Sequence, residues 1–225
     1  MRINIAIDGP SAAGKSTIAK RVCAKLGYVH LDTGAMYRST ALKAVRSGIA
    51  LDDEAAVCEM LKSTDIRLTP EGKVFLDGED VSSAIRTDEI SLAASNVSKL
   101  KQVRADLVSR QQEMASEKGF IMDGRDIGTV VLKDAEVKVF MTASAHARAQ
   151  RRYDQNIASG IPTSDVETIA EEIRQRDYND THRKESPLVK AADAVEIDTS
   201  DMTIEEVAER ILALCEPFVH AQEEN

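Results

Sequence analysis

The sequence has few cysteines, and their placement excludes two classes of small protein. The three cysteines, Cys23, Cys58 and Cys215, lie far apart and form no C-x-x-C pair. An odd number at such spacing predicts neither a disulfide framework nor a structural zinc site. A reducing compartment therefore fits the chain best.

Long apolar runs are also absent. No uninterrupted stretch approaches the roughly 20 apolar residues that a membrane span needs. Residues 1–8 have the pattern of a strand and lack the basic segment and long apolar run of a secretory signal. We therefore expect a cytoplasmic protein that does not associate with membranes.

The chain has no excess of positive charge. It carries 29 Lys and Arg against 38 Asp and Glu, a formal net charge of -9. Such a surface repels a nucleic-acid backbone, so we expect no nucleic-acid partner. Any binding of anions must come from local arginine clusters.

The residues that are present predict one α/β domain with an insertion. At 225 residues the chain can bury one substantial core. Apolar runs alternate with helical patterns, which is typical of a parallel sheet. Two helix starts have capping-box spacing, Ser164 with Glu167 and Thr203 with Glu206. The runs assigned to buried strands are 1–8, 28–31, 120–122, 137–141 and 194–197.

One stretch breaks this alternation. Residues 65–81 contain short strand-like pieces around Pro70, Gly72 and Gly78. Such turn residues between short strands predict a small antiparallel β subdomain. We expect it near an acceptor-binding side of the fold.

A phosphate-binding motif follows the first predicted strand. Residues 9–16 match G-x-x-x-x-G-K-[ST] and lie between a strand and a helix. Backbone amides of such a loop and the following helix terminus bind phosphate, the lysine reaches the β and γ phosphates, and the hydroxyl of Ser16 ligates Mg²⁺. The residues predicted to bind ATP are Gly9, Pro10, Ser11, Ala12, Ala13, Gly14, Lys15, Ser16 and Thr17. The motif alone does not separate kinases from switches, motors or transporters.

A second anion site is predicted after the second strand. Residues 31–38 place Thr33, Tyr37 and Arg38 at the start of a helix. A guanidinium can bind two phosphate oxygens at once, and the helix terminus assists it. The alternative is an ordinary helix start capped by Asp32 or Thr33.

The third strand ends in another cluster, residues 123–129. Carboxyl ends of parallel strands are where such folds bind ligands. Arg125 can contact a phosphate, and Asp126 can accept a hydrogen bond from an exocyclic amine. The alternative is an ion pair in a turn.

Two later helices have the pattern of a lid. Arg148, Arg151 and Arg152 share one helical face, and after a loop a second helix brings together Arg176, Asp180 and Arg183. Arginines that approach on lid closure neutralise charge during phosphoryl transfer. The alternative is a pair of solvated charged faces.

Hydrolase motifs are missing. The sequence contains no H-E-x-x-H or G-x-S-x-G pattern, and its four histidines are scattered. Phosphoryl transfer depends on positioning and charge neutralisation and needs no strong base. We therefore assign each histidine a structural or surface role.

Several motifs together resemble the bacterial cytidylate kinases, over essentially the whole chain. They are IAIDGPSAAGKST at 5–17, LDTGAMYR at 31–38, IRTDEIS at 85–91, MDGRDIGTVV at 122–131 and RDYNDTHR at 176–183. The resemblance implies a P-loop NTPase fold of three layers with a central parallel sheet, a helical lid and the antiparallel insertion on the nucleoside monophosphate side. It also implies Mg²⁺ with ATP as donor, CMP and dCMP as acceptors, and a monomer.

The resemblance also implies a division of the single domain 1–225 and a role for individual residues. The core comprises 1–32, 86–145 and 190–225, the monophosphate-binding region is 33–85, and the lid is about 148–185. Thr33, Arg38 and Arg125 match positions that hold the acceptor phosphate, and Arg176 and Asp180 match positions at the sugar. Ser95, Arg104, Asp126 and Arg183 match positions around the cytosine, beside Tyr37. We assign catalytic roles to Lys15, Arg125, Arg151 and Arg176.

Other readings keep part of this chemistry. A related P-loop kinase can take UMP, shikimate or dephospho-coenzyme A as its acceptor. A switch GTPase would carry an N-K-x-D motif, which this sequence lacks. A binding module without catalysis is disfavoured by the presence of Lys15 and Ser16.

Overall fold

The computed structural model describes residues 2–219, which form a parallel sheet between layers of helices and a separate antiparallel sheet. The strands are β1 (Ile5–Asp8), β2 (Val29–Asp32), β3 (Ile66–Leu68), β4 (Val74–Leu76), β5 (Glu79–Asp80), β6 (Phe120–Gly124), β7 (Val137–Thr142) and β8 (Val195–Asp198). The helices are α1 (Lys15–Leu26), α2 (Thr33–Arg46), α3 (Glu54–Lys62), α4 (Asp88–Val97), α5 (Lys101–Met114), α6 (Ala145–Ala158), α7 (Val166–His182) and α8 (Ile204–Val219).

The main sheet has five parallel strands in the order β2-β6-β1-β7-β8. This confirms the predicted parallel sheet and its strands, although β1 begins at Ile5 and Met1 lies outside the described residues. The carboxyl ends are level, since Asp8 pairs with Gly124 and Asp32 pairs with Asp123. Side chains that end these strands therefore meet at one edge of the sheet.

Apolar side chains alternate between the two faces of this sheet. Ile5 and Ile7 of β1 point into a core with α1 and α8, whereas Ala6 points into another with Leu31 and Met122. Burial on both faces explains why the strands appear in the sequence as continuous apolar runs. The result is the predicted three-layer arrangement, with helices on either side.

The predicted antiparallel insertion is confirmed. Strands β3, β4 and β5 form a sheet of their own within 65–81. Val74 and Leu76 of β4 pack with Val57 and Leu61 of α3 and with Leu107 of α5. The insertion thus shares its core with the helices that follow β2, and is not a separately packed unit.

Helices α6 and α7 pack against each other through a small apolar cluster that includes Ala149, Ile169 and Ile173. The predicted capping box of α8 is confirmed, because Thr203 Oγ1 accepts from the amide of Glu206 at 3.2 Å and Glu206 Oε2 accepts from that of Thr203 at 2.8 Å. The box predicted at Ser164 is wrong by one residue.

Asp165, and not Ser164, caps helix α7. Its carboxylate accepts from the amide of Thr168 at 2.9 Å. Aspartate caps helices as well as serine does, so two adjacent capping residues left the sequence ambiguous. Within residues 2–219, no helix combines the length and apolar character that crossing a membrane requires.

Candidate functional site

The loop between β1 and α1 has a backbone that few side chains permit. Gly9 has φ of +150°, and a Cβ there would lie 2.1 Å from the carbonyl oxygen of Met141. Gly14, immediately before α1, has φ of +88°. Both glycines are required for the loop to pass close to β7 and then turn into the helix. The amino end of α1 consequently lies at the edge of the sheet where the parallel strands end.

Lys15 is the buried cation of this loop. Its Nζ donates a hydrogen bond to the carbonyl of Pro10 at 2.7 Å. Burial, and then the nearby Arg125, lower the pKa of Lys15 to about 7. An anion placed between the two cations would offset that repulsion and favour the charged lysine.

Asp123 is one of the cavity-lining residues that sequence reasoning missed. Its Oδ2 accepts from the hydroxyl of Ser16 at 2.8 Å, and its backbone carbonyl accepts from the hydroxyl of Thr33 at 2.8 Å. The sequence signal that could have found it is its position near the carboxyl end of β6, a buried strand that pairs with β1, the strand before the P-loop. Asp123 joins the start of α1 to the start of α2.

The other carboxylate oxygen of Asp123 faces a histidine. His30 Nε2 lies 2.5 Å from Asp123 Oδ1, and both side chains are 7% exposed. Burial alone would raise the pKa of Asp123, but the hydrogen bond from His30 and the charges of His30 and Lys15 lower it. The ionised carboxylate can only accept, so His30 donates from Nε2. His30 therefore fixes the carboxylate of Asp123, which is a structural role.

The oxygens of Ser16 and Asp123 suit a hard cation. Mg²⁺ prefers carboxylate and hydroxyl oxygens and usually binds through one or two carboxylates together with phosphate oxygens. No group of three or more His, Cys, Asp or Glu side chains arranged to hold a metal occurs within residues 2–219. The Ser16 hydroxyl and the Asp123 carboxylate together fit Mg²⁺ that is also bound by phosphate oxygens.

A cavity of about 450 Å³ extends from the P-loop to α4 and the lid helices. Most of the predicted site residues line it together. Those that line it are Ser11, Ala12, Lys15, Ser16, Thr33, Tyr37, Arg38, Ser95, Arg104, Arg125, Asp126, Arg176, Asp180 and Arg183. Those that do not are Gly9, Pro10, Ala13, Gly14, Thr17 and Arg151.

Several arginines converge in the middle of this cavity. Arg38 pairs with Asp32 at 2.7 Å, and Arg125 Nε donates to Asp180 Oδ2 at 2.7 Å. Burial, and then the charges of neighbouring arginines, Arg125 foremost, lower the pKa of Arg176 to about 10. The Nε atoms of Arg38 and Arg176 are buried with no hydrogen-bond partner among residues 2–219. Such a cluster is built to bind an anion.

The far end of the cavity carries a buried charge cluster. Arg104 forms an ion pair with Asp126, and its guanidinium lies 5.5 Å from the centre of the Tyr37 ring. Arg183 Nη2 lies 3.8 Å from Asp126 Oδ1. Burial, and then the charge of Arg104, lower the pKa of Arg183. A carboxylate held between guanidinium groups can accept from an amine of a bound ligand.

Asp8 fixes the turn that follows Asp126. Its carboxylate accepts from the amides of Ile127 and Gly128 at 2.7 and 2.8 Å. Burial raises the pKa of Asp8 to about 6, although these two hydrogen bonds oppose the shift. The turn after β6 is therefore held by the end of β1.

The arginines of α6 occupy different positions. Arg148 contacts Asp177 of α7 and the carbonyl of Ser11, which connects these two helices to the loop before α1. Arg151, predicted to be catalytic, donates to Thr199 Oγ1 at 3.2 Å and lies outside the cavity lining. Arg152 lines the cavity and pairs with Asp88 at 2.6 Å. Adjacent helical residues point about 100° apart, so Arg152 and not Arg151 faces the cleft.

Comparisons with known proteins identify the family of this chain. Residues 5–217 match the family model described as cytidylate kinase. A cytidylate kinase of Ligilactobacillus salivarius is 50% identical over 222 residues, covering 97% of this chain and 99% of that protein. A cytidylate kinase of Bacillus subtilis is 51% identical over 218 residues, covering 96% and 97%.

Solved structures agree at the level of fold. A gluconokinase from Sinorhizobium meliloti 1021 aligns with a TM-score of 0.51 at 14% identity, covering 96% of this chain and 93% of that one. This likeness confirms the predicted P-loop NTPase fold. The family model and the two relatives confirm the resemblance found in the sequence, and the chain belongs to the cytidylate kinase family.

Proposed function

We propose that the protein transfers the γ-phosphoryl group of ATP to CMP and dCMP. The observation that carries the proposal is a single cavity lined by Lys15, by Asp126 and by several guanidinium groups. A donor phosphate at one end and a nucleobase at the other leave the acceptor phosphate among the arginines. Membership of the cytidylate kinase family supports this assignment.

The P-loop is the donor site in this proposal. The α1 terminus and the loop amides would bind the β and γ phosphates, with Lys15 between them. Ser16 and Asp123 would hold Mg²⁺, which shields the phosphate charges and orients the γ-phosphoryl group when bound. Arg152, which lines the cavity, would add positive charge from the lid.

The acceptor phosphate would bind Arg38, Arg125 and Arg176. Each guanidinium already lies against a carboxylate or carries an Nε without a hydrogen-bond partner among residues 2–219. A phosphate oxygen is itself the nucleophile at neutral pH, so no side chain needs to remove a proton from it. The arginines therefore lower the repulsion between two anions that must approach in line.

Asp126 would specify the base. Cytosine presents an amino donor at the position where uracil presents a carbonyl acceptor. A buried carboxylate accepts from the first and repels the second, because two acceptors would face each other without a proton. This contact favours CMP over UMP as the acceptor, and shikimate offers no equivalent amine.

We extend the proposal to the domain organisation, location, oligomeric state and partners of the enzyme. The lid would comprise about 148–185 and the monophosphate-binding region 33–85, within one domain. The protein would act as a cytoplasmic monomer with no nucleic-acid partner.

A coupled assay of ADP release tests the acceptor. CMP, dCMP, UMP, shikimate and dephospho-coenzyme A would be compared at fixed Mg²⁺ and ATP, with the Lys15→Ala variant as a control for contaminating kinases. We expect CMP and dCMP to give the highest kcat/KM, and the control to give almost none. Equal turnover of CMP and UMP would refute the assignment of the base.

A further inference from the structure

The segment that leaves the lid helix α7 contains a strained serine. The chain turns back after Arg183, and the amide of Leu188 donates to the carbonyl of Asp180 at 2.8 Å. Within this turn Ser186 has φ of +47°, in the left-handed region. Few residues other than glycine adopt it, and when they do the surrounding contacts hold them there.

Two hydrogen bonds hold Ser186, and both come from arginines. Its hydroxyl accepts from Arg104 Nε at 3.2 Å, and its carbonyl accepts from Arg183 Nε at 2.6 Å. Arg104 belongs to α5, whereas Arg183 directly follows the last residue of α7. One residue therefore bridges the lid and the acceptor side of the core.

Both arginines also face Asp126. Arg104 is ion-paired with it, and Arg183 Nη2 lies 3.8 Å away, while the side chains of these three residues are at most 8% exposed. A guanidinium is planar and rigid, so fixing its Nε fixes the direction of its outer nitrogens. The left-handed turn at Ser186 brings its hydroxyl and its carbonyl to two guanidinium groups at once.

We propose that Ser186 is a positioning residue for recognition of the base: it orients Arg104 and Arg183 so that they hold the Asp126 carboxylate toward the cytosine amine. The inference rests on the proposed function, and it adds a residue outside the cavity lining to the determinants of specificity. Ser186 touches neither nucleotide and acts through the two arginines.

Loss of the Ser186 hydroxyl has a selective consequence. Arg104 Nε loses this acceptor, and Asp126 becomes less well fixed between its two cations. CMP depends on the direction of that carboxylate, whereas UMP gains nothing from it. Binding of ATP, at the other end of the cavity, does not depend on it.

The test compares Ser186→Ala and Ser186→Gly in steady-state kinetics with CMP and with UMP at saturating ATP and Mg²⁺. Loss of one hydrogen bond to a charged group predicts a rise in KM for CMP of about tenfold. We expect kcat and the KM for ATP to stay within about twofold, and the KM for UMP to remain unchanged. Ser164→Ala, at an exposed serine of the lid loop, is the matched control and should leave all constants unchanged.

The glycine variant separates contact from strain. Glycine adopts a positive φ freely, so Ser186→Gly keeps the turn while it removes the hydroxyl. We expect it to lose CMP affinity as the alanine variant does, and to fold even if the alanine variant does not. A normal KM for CMP in Ser186→Gly, or an equal rise for CMP and UMP, would overturn the proposal.

The experiment distinguishes a failure of the proposed role of Ser186 from a failure of the proposed function. If the wild-type protein shows no preference for CMP over UMP, the proposed function fails before any variant is measured. If the wild type prefers CMP and Ser186→Gly retains the full preference, only the role of Ser186 fails.

Discussion

The donor and acceptor halves of the cavity are built in different ways. The donor side comes from one continuous segment, residues 9–17, whose shape depends mainly on two glycines and the amino end of α1. The acceptor side is assembled from side chains that lie far apart in the sequence, such as Arg38, Arg125 and Arg176. The backbone determines the shape of the donor side, and ion-paired side chains determine the shape of the acceptor side.

This difference indicates where specificity can reside. A loop that binds through amides offers every nucleotide the same donors, so it recognises phosphate and little else. On the acceptor side, ion pairs such as Arg38–Asp32 and Arg104–Asp126 hold each guanidinium in place. A single substitution there removes one partner of a pair and can change the choice of acceptor.

The largest effect is expected from Lys15→Ala, the side chain of the donor loop that carries charge into the cavity. Loss of one contact that stabilises transition-state charge lowers kcat by about 10² to 10³. CMP affinity should be unchanged, because Lys15 belongs to the other half. Steady-state kinetics and calorimetry of CMP binding would measure both, with circular dichroism as the folding control. Near-normal turnover would contradict the role of Lys15.

The next effect tests the acceptor half. Asp126→Ala should weaken CMP binding by roughly 10 to 100-fold, since a hydrogen bond to a charged group contributes about 1.5–3 kcal/mol. ATP affinity should be unaltered, which calorimetry with each nucleotide can establish. The variant also leaves Arg104 without its buried partner, so its thermal stability should fall. An equal loss of affinity for both nucleotides would mean that Asp126 supports the fold and not the base site.

A smaller effect is expected from a residue that lies outside the donor segment 9–17 but supports it. His30 lies in β2, outside the loop, yet it contacts Asp123. His30→Leu should raise the Mg²⁺ concentration for half-maximal ADP binding by about tenfold, as expected when a group that supports a metal ligand is lost. His30→Gln keeps a donor near Nε2 and should recover most of the affinity.

Binding of ADP in EDTA provides the control for this pair of variants. It should be the same in both and in the wild type, because His30 does not contact the loop amides. If His30→Leu loses ADP affinity equally with and without Mg²⁺, the histidine supports the fold and not the metal site.

The smallest effect is expected from the exposed ion pair between Asp88 of α4 and Arg152 of α6. Asp88→Asn removes the partner of Arg152 at the mouth of the cavity. Asp88 is 86% exposed, and exposed ion pairs contribute little, so the KM for CMP should change by no more than about threefold. Any change should vanish in about 1 M salt, where screening is strong. A large effect that resists salt would show that the pair governs lid closure.

The sequence predicted the arrangement of the contiguous part of this site, but not how its distant residues contact one another. The P-loop motif predicted Lys15 and Ser16 because their positions follow from a local backbone. Asp123 was missed because a lone carboxylate has no motif, and its meaning depends on the level ends of β1, β2 and β6.

The sequence also did not predict which side chains of a helix face the cleft. Spacing grouped Arg151 with Arg152, but the packing of α6 against α7 decides which of them faces the cleft. Arg38 and Arg125 were predicted to contact phosphate from their positions after two strands, but no periodicity predicts that residues 38 and 176 meet.

The level strand ends also determine where the chain can change length. Asp123 stands beside Asp32, and Gly124 beside Asp8, so deleting one residue within β6 would shift Asp123 out of line with Ser16 and turn its neighbours to the opposite face of the sheet. The turn between β4 and β5, residues 77–78, holds none of the residues that line the cavities beside the P-loop. Insertions and deletions should therefore be tolerated in that turn and rejected in β6, which deletion scanning with selection for growth would reveal.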